Sequence, residues 1–269
     1  MNDRISVTID GGVADVRLVR TDKMNALDDA MFSALVETGE RLKSEPGVRA
    51  VVLSGEGRAF CAGLDMGNFG RMAEGPRANP TGGDGDFARR THGIANRAQY
   101  AVWVWRDIPV PVIAAVHGVA FGGGFQLALG ADMRFVAPDT RMAVLEIKWG
   151  LVPDMAGTML MRHLVREDVV RELTYTGRIF SGQEALAMGF ATRVCADPRA
   201  EALAVAREIA GKNPDAIRAS KRLLNAAPIT DQLSGLTQET VEQIALIGSP
   251  NQVEAVMANL QKREPVFTD

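Results

Sequence analysis

The chain has 269 residues, 46% hydrophobic and 23% charged, with a formal net charge of −3 at pH 7. That length suits one large domain or a domain with a helical appendage. Interleaved acids and bases exclude the basic footprint of a nucleic-acid binder. No apolar run reaches membrane-spanning length and the N-terminus reads as neither signal peptide nor basic leader, so the expectations are a cytoplasmic location and no membrane partner.

In chain order, Ile5, Val7 and Ile9 alternate up to Gly11-Gly12, and Val13, Val16 and Leu18 follow, which predicts a hairpin. Asp28-Asp29 read as the cap of a helix burying Met31, Leu35 and Leu42 and ending near Pro46-Gly47. Arg49 to Ser54 reads as a buried strand that runs into Phe60-Cys61-Ala62-Gly63-Leu64-Asp65. Arg77 to Asp86 has turn residues and no periodicity, so it reads as a loop. A helix is predicted over Phe87–Arg106. Pro109-Val110-Pro111 then opens the strand Val112–Val116, which leads to Ala120-Phe121-Gly122-Gly123-Gly124 and a further helix.

Met133–Val136 reads as a strand, Met155–Val165 and Asp168–Tyr175 as helices, and Ser181-x-x-Glu184 as a capping box. A last strand is expected over Ala191–Cys195. From Pro198 the chain is helical, with breaks at Pro214, Pro228 and Ser249-Pro250. Cys61 and Cys195 have no metal-ligand spacing, nor do His92, His117 and His163, so no metal is expected. Periodicity alone therefore gives an α/β protein with a helical C-terminal part.

The two glycine-bearing turns are the richest feature. Small residues after a strand let backbone N–H groups approach a ligand, and two such turns can aim two donors at one oxygen. In this order they resemble the crotonase (enoyl-CoA hydratase/isomerase) superfamily. The resemblance extends through Asn25-Ala26-Leu27, Glu146, Gly150-Leu151, Pro153, Gly157-Thr158, Thr176-Gly177, Glu184-Ala185 and Met188-Gly189. It implies a spiral of β-β-α units over 1–197, a helical trimerisation region over 198–269, and a homotrimer or dimer of trimers. It also implies an acyl-CoA thioester substrate and no separate cofactor, coenzyme A being part of the substrate.

The resemblance assigns the oxyanion donors to the amides of Ala62 and Gly123, with the dipole of the helix that opens at the triple glycine assisting. Glu146, in an apolar stretch, matches a catalytic carboxylate; its alternative is an ordinary ion pair with Lys148 or Arg141. Gln126 stands where hydratases carry a first catalytic glutamate. An amide orients water but does not take its proton, and its alternative role is to satisfy backbone groups. Asp154 matches an aspartate of the dienoyl-CoA isomerase branch, and its alternative is to cap a helix beginning near Met155.

For the acyl group, Leu64, Met66, Phe69, Met72, Trp103 and Trp149 are candidates by position. Lys23, Ala26, Asp65 and Gly122 are further substrate-binding candidates, and Lys262 beside Arg263 resembles a basic tail contributed to a neighbouring subunit.

Overall fold

Residues 3–68 and 87–269 are described by the structure, a computed structural model. The strands are β1 (Ile5–Asp10), β2 (Val13–Leu18), β3 (Ala50–Gly55), β4 (Val112–Val116), β5 (Val119–Phe121), β6 (Met133–Val136), β7 (Arg141–Ala143) and β8 (Arg193–Val194). β1 and β2 form the expected antiparallel hairpin across Gly11-Gly12, with Val7 opposite Val16. The main sheet runs β1-β2-β3-β4-β6-β8, parallel from β2 onward, while β5 and β7 pair in a separate parallel ribbon.

Every residue of β3 and β4 is buried, as parallel strands covered on both faces require. Their period-two alternation feeds two cores. Val51, Leu53, Val112, Ala114 and Val116 face the larger one. Ala50, Val52, Ile113 and Ala115 face a second, completed by Ala202, Ala206 and Ala210. Those three alanines form one stripe of the helix Pro198–Ala210, so small side chains let that helix lie close against the sheet.

The helices are α1 (Asp29–Ser44), α2 (Arg97–Asp107), α3 (Gly123–Leu129), α4 (Gly157–Met161), α5 (Glu167–Thr176), α6 (Gly182–Met188), α7 (Pro198–Ala210), α8 (Pro214–Ala226), α9 (Gln232–Leu246) and α10 (Pro250–Gln261). Asp28 caps α1 as expected, accepting from the Met31 amide at 2.8 Å. Ser181 and Glu184 form the capping box that opens α6. Pro198, where the helical part was expected to begin, and Pro214 and Pro250, read as breaks, sit in first turns, where a missing N–H costs nothing, behind caps Asp197, Asn213 and Ser249, while Pro228 lies in the 3-10 turn Ala227–Ile229.

Two predicted helices prove shorter. α2 starts at Arg97 rather than Phe87 because Asn96 and Gln99 cap it reciprocally. α4 starts at Gly157 rather than Met155, since Ala156 adopts a left-handed conformation (φ 67°) that a helix interior does not accommodate. The outer helices leave large apolar side chains in solvent, among them Leu224, Leu233, Leu236, Val241 and Ile244.

Candidate active site

The two glycine turns meet. Cys61 pairs with Ala120 as an isolated parallel bridge: the Cys61 amide donates to the Val119 carbonyl at 3.0 Å and the Phe121 amide to the Cys61 carbonyl at 3.2 Å. A Cβ on Gly63 would lie 2.5 Å from the Phe121 carbonyl oxygen and 3.7 Å from the Gly123 nitrogen, and Gly63 has φ +88°. Only glycine permits both that conformation and that approach.

The first turn is held from behind by Met24–Leu27. The Ala62 amide donates to the Met24 carbonyl at 2.9 Å, the Leu27 amide to Gly63 at 2.8 Å and the Asp65 amide to Leu27 at 3.1 Å. Asn25 is fully buried, and its Nδ2 donates to the carbonyls of Glu56 and Ala59.

This pairing corrects one expectation. The Ala62 N–H is already spent on Met24, so it is not a donor to a ligand. Leu64 is flanked by two groups that bond Leu27, so its own N–H points to the opposite side. Among the described residues neither the Leu64 nor the Gly123 amide has an acceptor, and both residues line one cavity. Gly123 begins α3, where first-turn N–H groups have no helical partner. With seven residues in α3, that free N–H matters more than any summed dipole.

Glu146 reaches the same place from the 3-10 turn Glu146–Trp149 that follows β7. A Cβ on Gly122 would fall 3.3 Å from its Oε1. The carboxyl is buried and joins neither Lys148 nor Arg141. Its Oε1 accepts from Gln126 Nε2 at 2.6 Å, and its Oε2 has no hydrogen-bond partner among the described residues. Burial pushes its carboxyl above the ordinary glutamate range; the Gln126 bond opposes that rise and the nearby charge of Asp154 adds to it.

Gln126 is taken up by its neighbours. Its Oε1 accepts from the Met155 and Gly157 amides, both at 2.9 Å, so that oxygen is filled, and one of the two Nε2 hydrogens goes to Glu146. Asp154 does not cap α4, whose N-cap is Ala156 without a side-chain bond. It lines the cavity, where burial pushes its carboxyl up as well.

The cavity holds about 490 Å³. Lys23, Ala26, Leu64, Asp65, Met66, Gly122, Gly123, Trp149, Glu146 and Asp154 all line it, so residues distant in sequence converge there. Asp65 is not free to bind a ligand by charge, since it pairs with Arg20 at 2.6 Å and accepts from the Gly67 amide at 2.8 Å. Those bonds hold its carboxyl below the usual range against the opposing effect of burial. Arg20 also pairs with Asp28, which Arg4 reaches at 2.8 Å, tying the first turn to the start of α1.

Trp103 lies outside the cavity, packed against the core with Arg106 over its ring. Lys262 ends α10, exposed and away from this cavity. Phe69 and Met72, with the loop 77–86, fall outside the described residues. Sequence reading missed Phe32 and Ala98, buried residues of α1 and α2 that line the cavity, and Lys148 near its Trp149. Helical spacing marked the apolar positions as core but carried no sign of which core positions border a void. Cys61 is fully buried, its thiol donating to the Asn25 carbonyl, and burial pushes its pKa up to about 12.

Comparison with known proteins agrees with this fold. The chain is 32% identical to carnitinyl-CoA dehydratase of Salmonella heidelberg over 276 residues, covering 99% of both. It is 28% identical to mitochondrial methylglutaconyl-CoA hydratase of Mus musculus, covering 95% of this chain and 79% of that one. The crystal structure of enoyl-CoA hydratase from Bacillus anthracis superposes with a TM-score of 0.86 at 27% identity, covering 98% of each chain. A family profile described as enoyl-CoA hydratase/isomerase matches residues 8–269. With its spiral α/β fold and its paired turns, the chain belongs to the enoyl-CoA hydratase/isomerase family.

Proposed function

We propose that this protein moves protons on an acyl-CoA thioester through an enolate, and that its reaction is migration of a carbon–carbon double bond in an enoyl-CoA. The thioester oxygen is held by the amides of Leu64 and Gly123, and Glu146 is the acid/base. An α-proton is too weak an acid to leave at neutral pH unless the developing oxyanion is stabilised, and each such donor is worth about 10²–10³ in rate. Glu146 takes a proton from C2 of a 3-enoyl thioester. The C2–H electron pair enters the C1–C2 bond as the carbonyl pair moves onto oxygen. The C3–C4 π pair then takes the proton at C4 while the C1–C2 pair shifts to C2–C3 and the thioester carbonyl re-forms. A carboxyl raised by burial suits both halves of that transfer.

The observation that carries this reading is Glu146 Oε2, buried without a hydrogen-bond partner among the described residues, beside two unspent backbone amides. Double-bond migration needs one shuttling carboxylate. Hydration needs in addition an oriented water that loses its proton; the Gln126 oxygen is filled by two backbone amides, and an amide does not take a proton.

Asp154 supports a second reading. It faces the same cavity, desolvated and free of a capping role, so it holds a proton more readily than a surface aspartate. With Glu146 it would make an acid/base pair able to expel or add water. The relatives named as a carnitinyl-CoA dehydratase and a methylglutaconyl-CoA hydratase lend that reading weight.

The test is incubation with 3-enoyl-CoA and 2-enoyl-CoA, with products followed by mass. Interconversion at constant mass is expected, lowered about 10²–10⁴-fold in Glu146→Gln. Gain of one water by the 2-enoyl substrate transfers the assignment to the second reading. Tight binding of several chain lengths without turnover would reduce the protein to an acyl-CoA carrier.

A further inference from the structure

Gln126 is 1% exposed and touches three other parts of the site at once. Two backbone amides, Met155 and Gly157, occupy its Oε1, which fixes which end of the amide is which and turns Nε2 toward Glu146. The fit around it is tight: a Cβ on Gly157 would lie 2.6 Å from the Gln126 oxygen and 2.8 Å from its Cγ. A primary amide is the uncharged side chain that both donates and accepts at this reach.

We propose that Gln126 is the positioning residue of this site: it locks the Glu146 carboxylate in one orientation with Oε1 occupied and Oε2 free for the proton, and ties that orientation to the 154–157 segment carrying Asp154. The proposal deepens the proton-transfer reading and rests on it. An N–H donor at Oε1 disfavours a proton on that oxygen, so protonation is directed to Oε2. It also favours the anion of a carboxyl that burial would otherwise neutralise.

Among the described residues the other charged groups lining the cavity are Asp154, Lys148 on the same turn as Glu146, and Asp22, Lys23 and Asp65 on the Asp22–Met66 side. Charges of α5, behind the turn, are engaged elsewhere: Glu167 with Arg171, Asp168 with Arg166, and Glu172 with Arg178. Gln126 is thus the side chain that directly opposes neutralisation of Glu146, alongside the backbone of Glu146 and Leu145.

Two variants test this. Gln126→Leu removes the donor and the acceptor. Gln126→Glu keeps an acceptor for Met155 and Gly157 but replaces the donor with an oxygen that must share a proton with Glu146. Both are expected to lower kcat at pH 7 by about tenfold or more while KM changes less than about twofold, a smaller loss than the roughly 10²–10⁴-fold of removing the acid/base itself. In both, the acid limb of the kcat–pH profile moves to higher pH. Profiles and kcat that coincide with the parent in Gln126→Glu overturn the proposal.

The carboxyl titration of Glu146 itself, followed by carbon-13 NMR with Glu146→Gln for assignment, needs no substrate. Its upward displacement in Gln126→Glu supports positioning even if no enoyl-CoA is turned over, which would sink the reaction reading alone. An unmoved titration overturns the positioning role. Should Gln126→Leu fail to fold, Gln126→Glu carries the test alone.

Discussion

Asp154 shows how far a single residue can be read before its surroundings are known. An aspartate before a predicted helix is a natural cap, and only the left-handed Ala156 separates it from that task. Left in the cavity wall, its carboxyl is raised by burial, so the folded state holds the proton more tightly than the unfolded one. Stability from this group is therefore full below the unfolded pKa, falls as pH rises toward the folded pKa, and stays lower beyond it. Asp154→Asn is expected to raise the melting temperature at pH 7 by the equivalent of about 0.5–2 kcal/mol, as relief of functional-site strain commonly does. The gain should vanish near pH 3, where both states carry the proton. A loss at pH 7 would mean the carboxylate makes a favourable contact that the structure does not contain.

The elements themselves were largely legible. Asp28 and Ser181 with Glu184 announced helix starts through local hydrogen bonding that needs no tertiary partner, and Pro214 and Pro250 marked breaks because proline has no N–H to continue a helix. Uninterrupted apolar runs announced β3 and β4. The spent amide of Ala62 was illegible, because its acceptor, Met24, comes from a segment whose φ of 50° only the finished fold explains. The start of α3 makes a sharper point about the triple glycine. A Cβ on Gly124 would sit 2.2 Å from the Cys61 carbonyl oxygen, a backbone atom with nowhere to retreat. Gly124→Ala is expected to cost about 2–3 kcal/mol by overpacking, read from denaturant unfolding. A neutral result would show that the two turns are not pressed together. The glycine run is thus partly a packing device between turns, beside any role in presenting an amide.

For the molecule as a whole, the outer helices are the unfinished part. Leu233, Leu236, Val241 and Ile244 of α9 are each more than 60% exposed, and Leu224 of α8 72%, more than a folded monomer ordinarily leaves as one surface. α8 is nonetheless firmly seated, its buried Lys221 donating to the Val110 carbonyl and to Asp132, both at 2.8 Å. Self-association through this face is expected: light scattering should give three or six chain masses, and Leu233→Glu with Ile244→Glu should lower it. A stable monomer of the parent chain would refute that assembly. Among the described residues no helix is long and apolar enough to cross a membrane.

The sulfur of Cys61, sealed at the meeting of the two turns, gives the molecule one more property. A thiol raised to about 12 stays un-ionised at any physiological pH, and electrophiles attack the thiolate. The native chain therefore presents alkylating reagents with Cys195 only, and the opened chain with two sulfurs. The protein carries a built-in gauge of its own integrity, written in the number of labels it accepts.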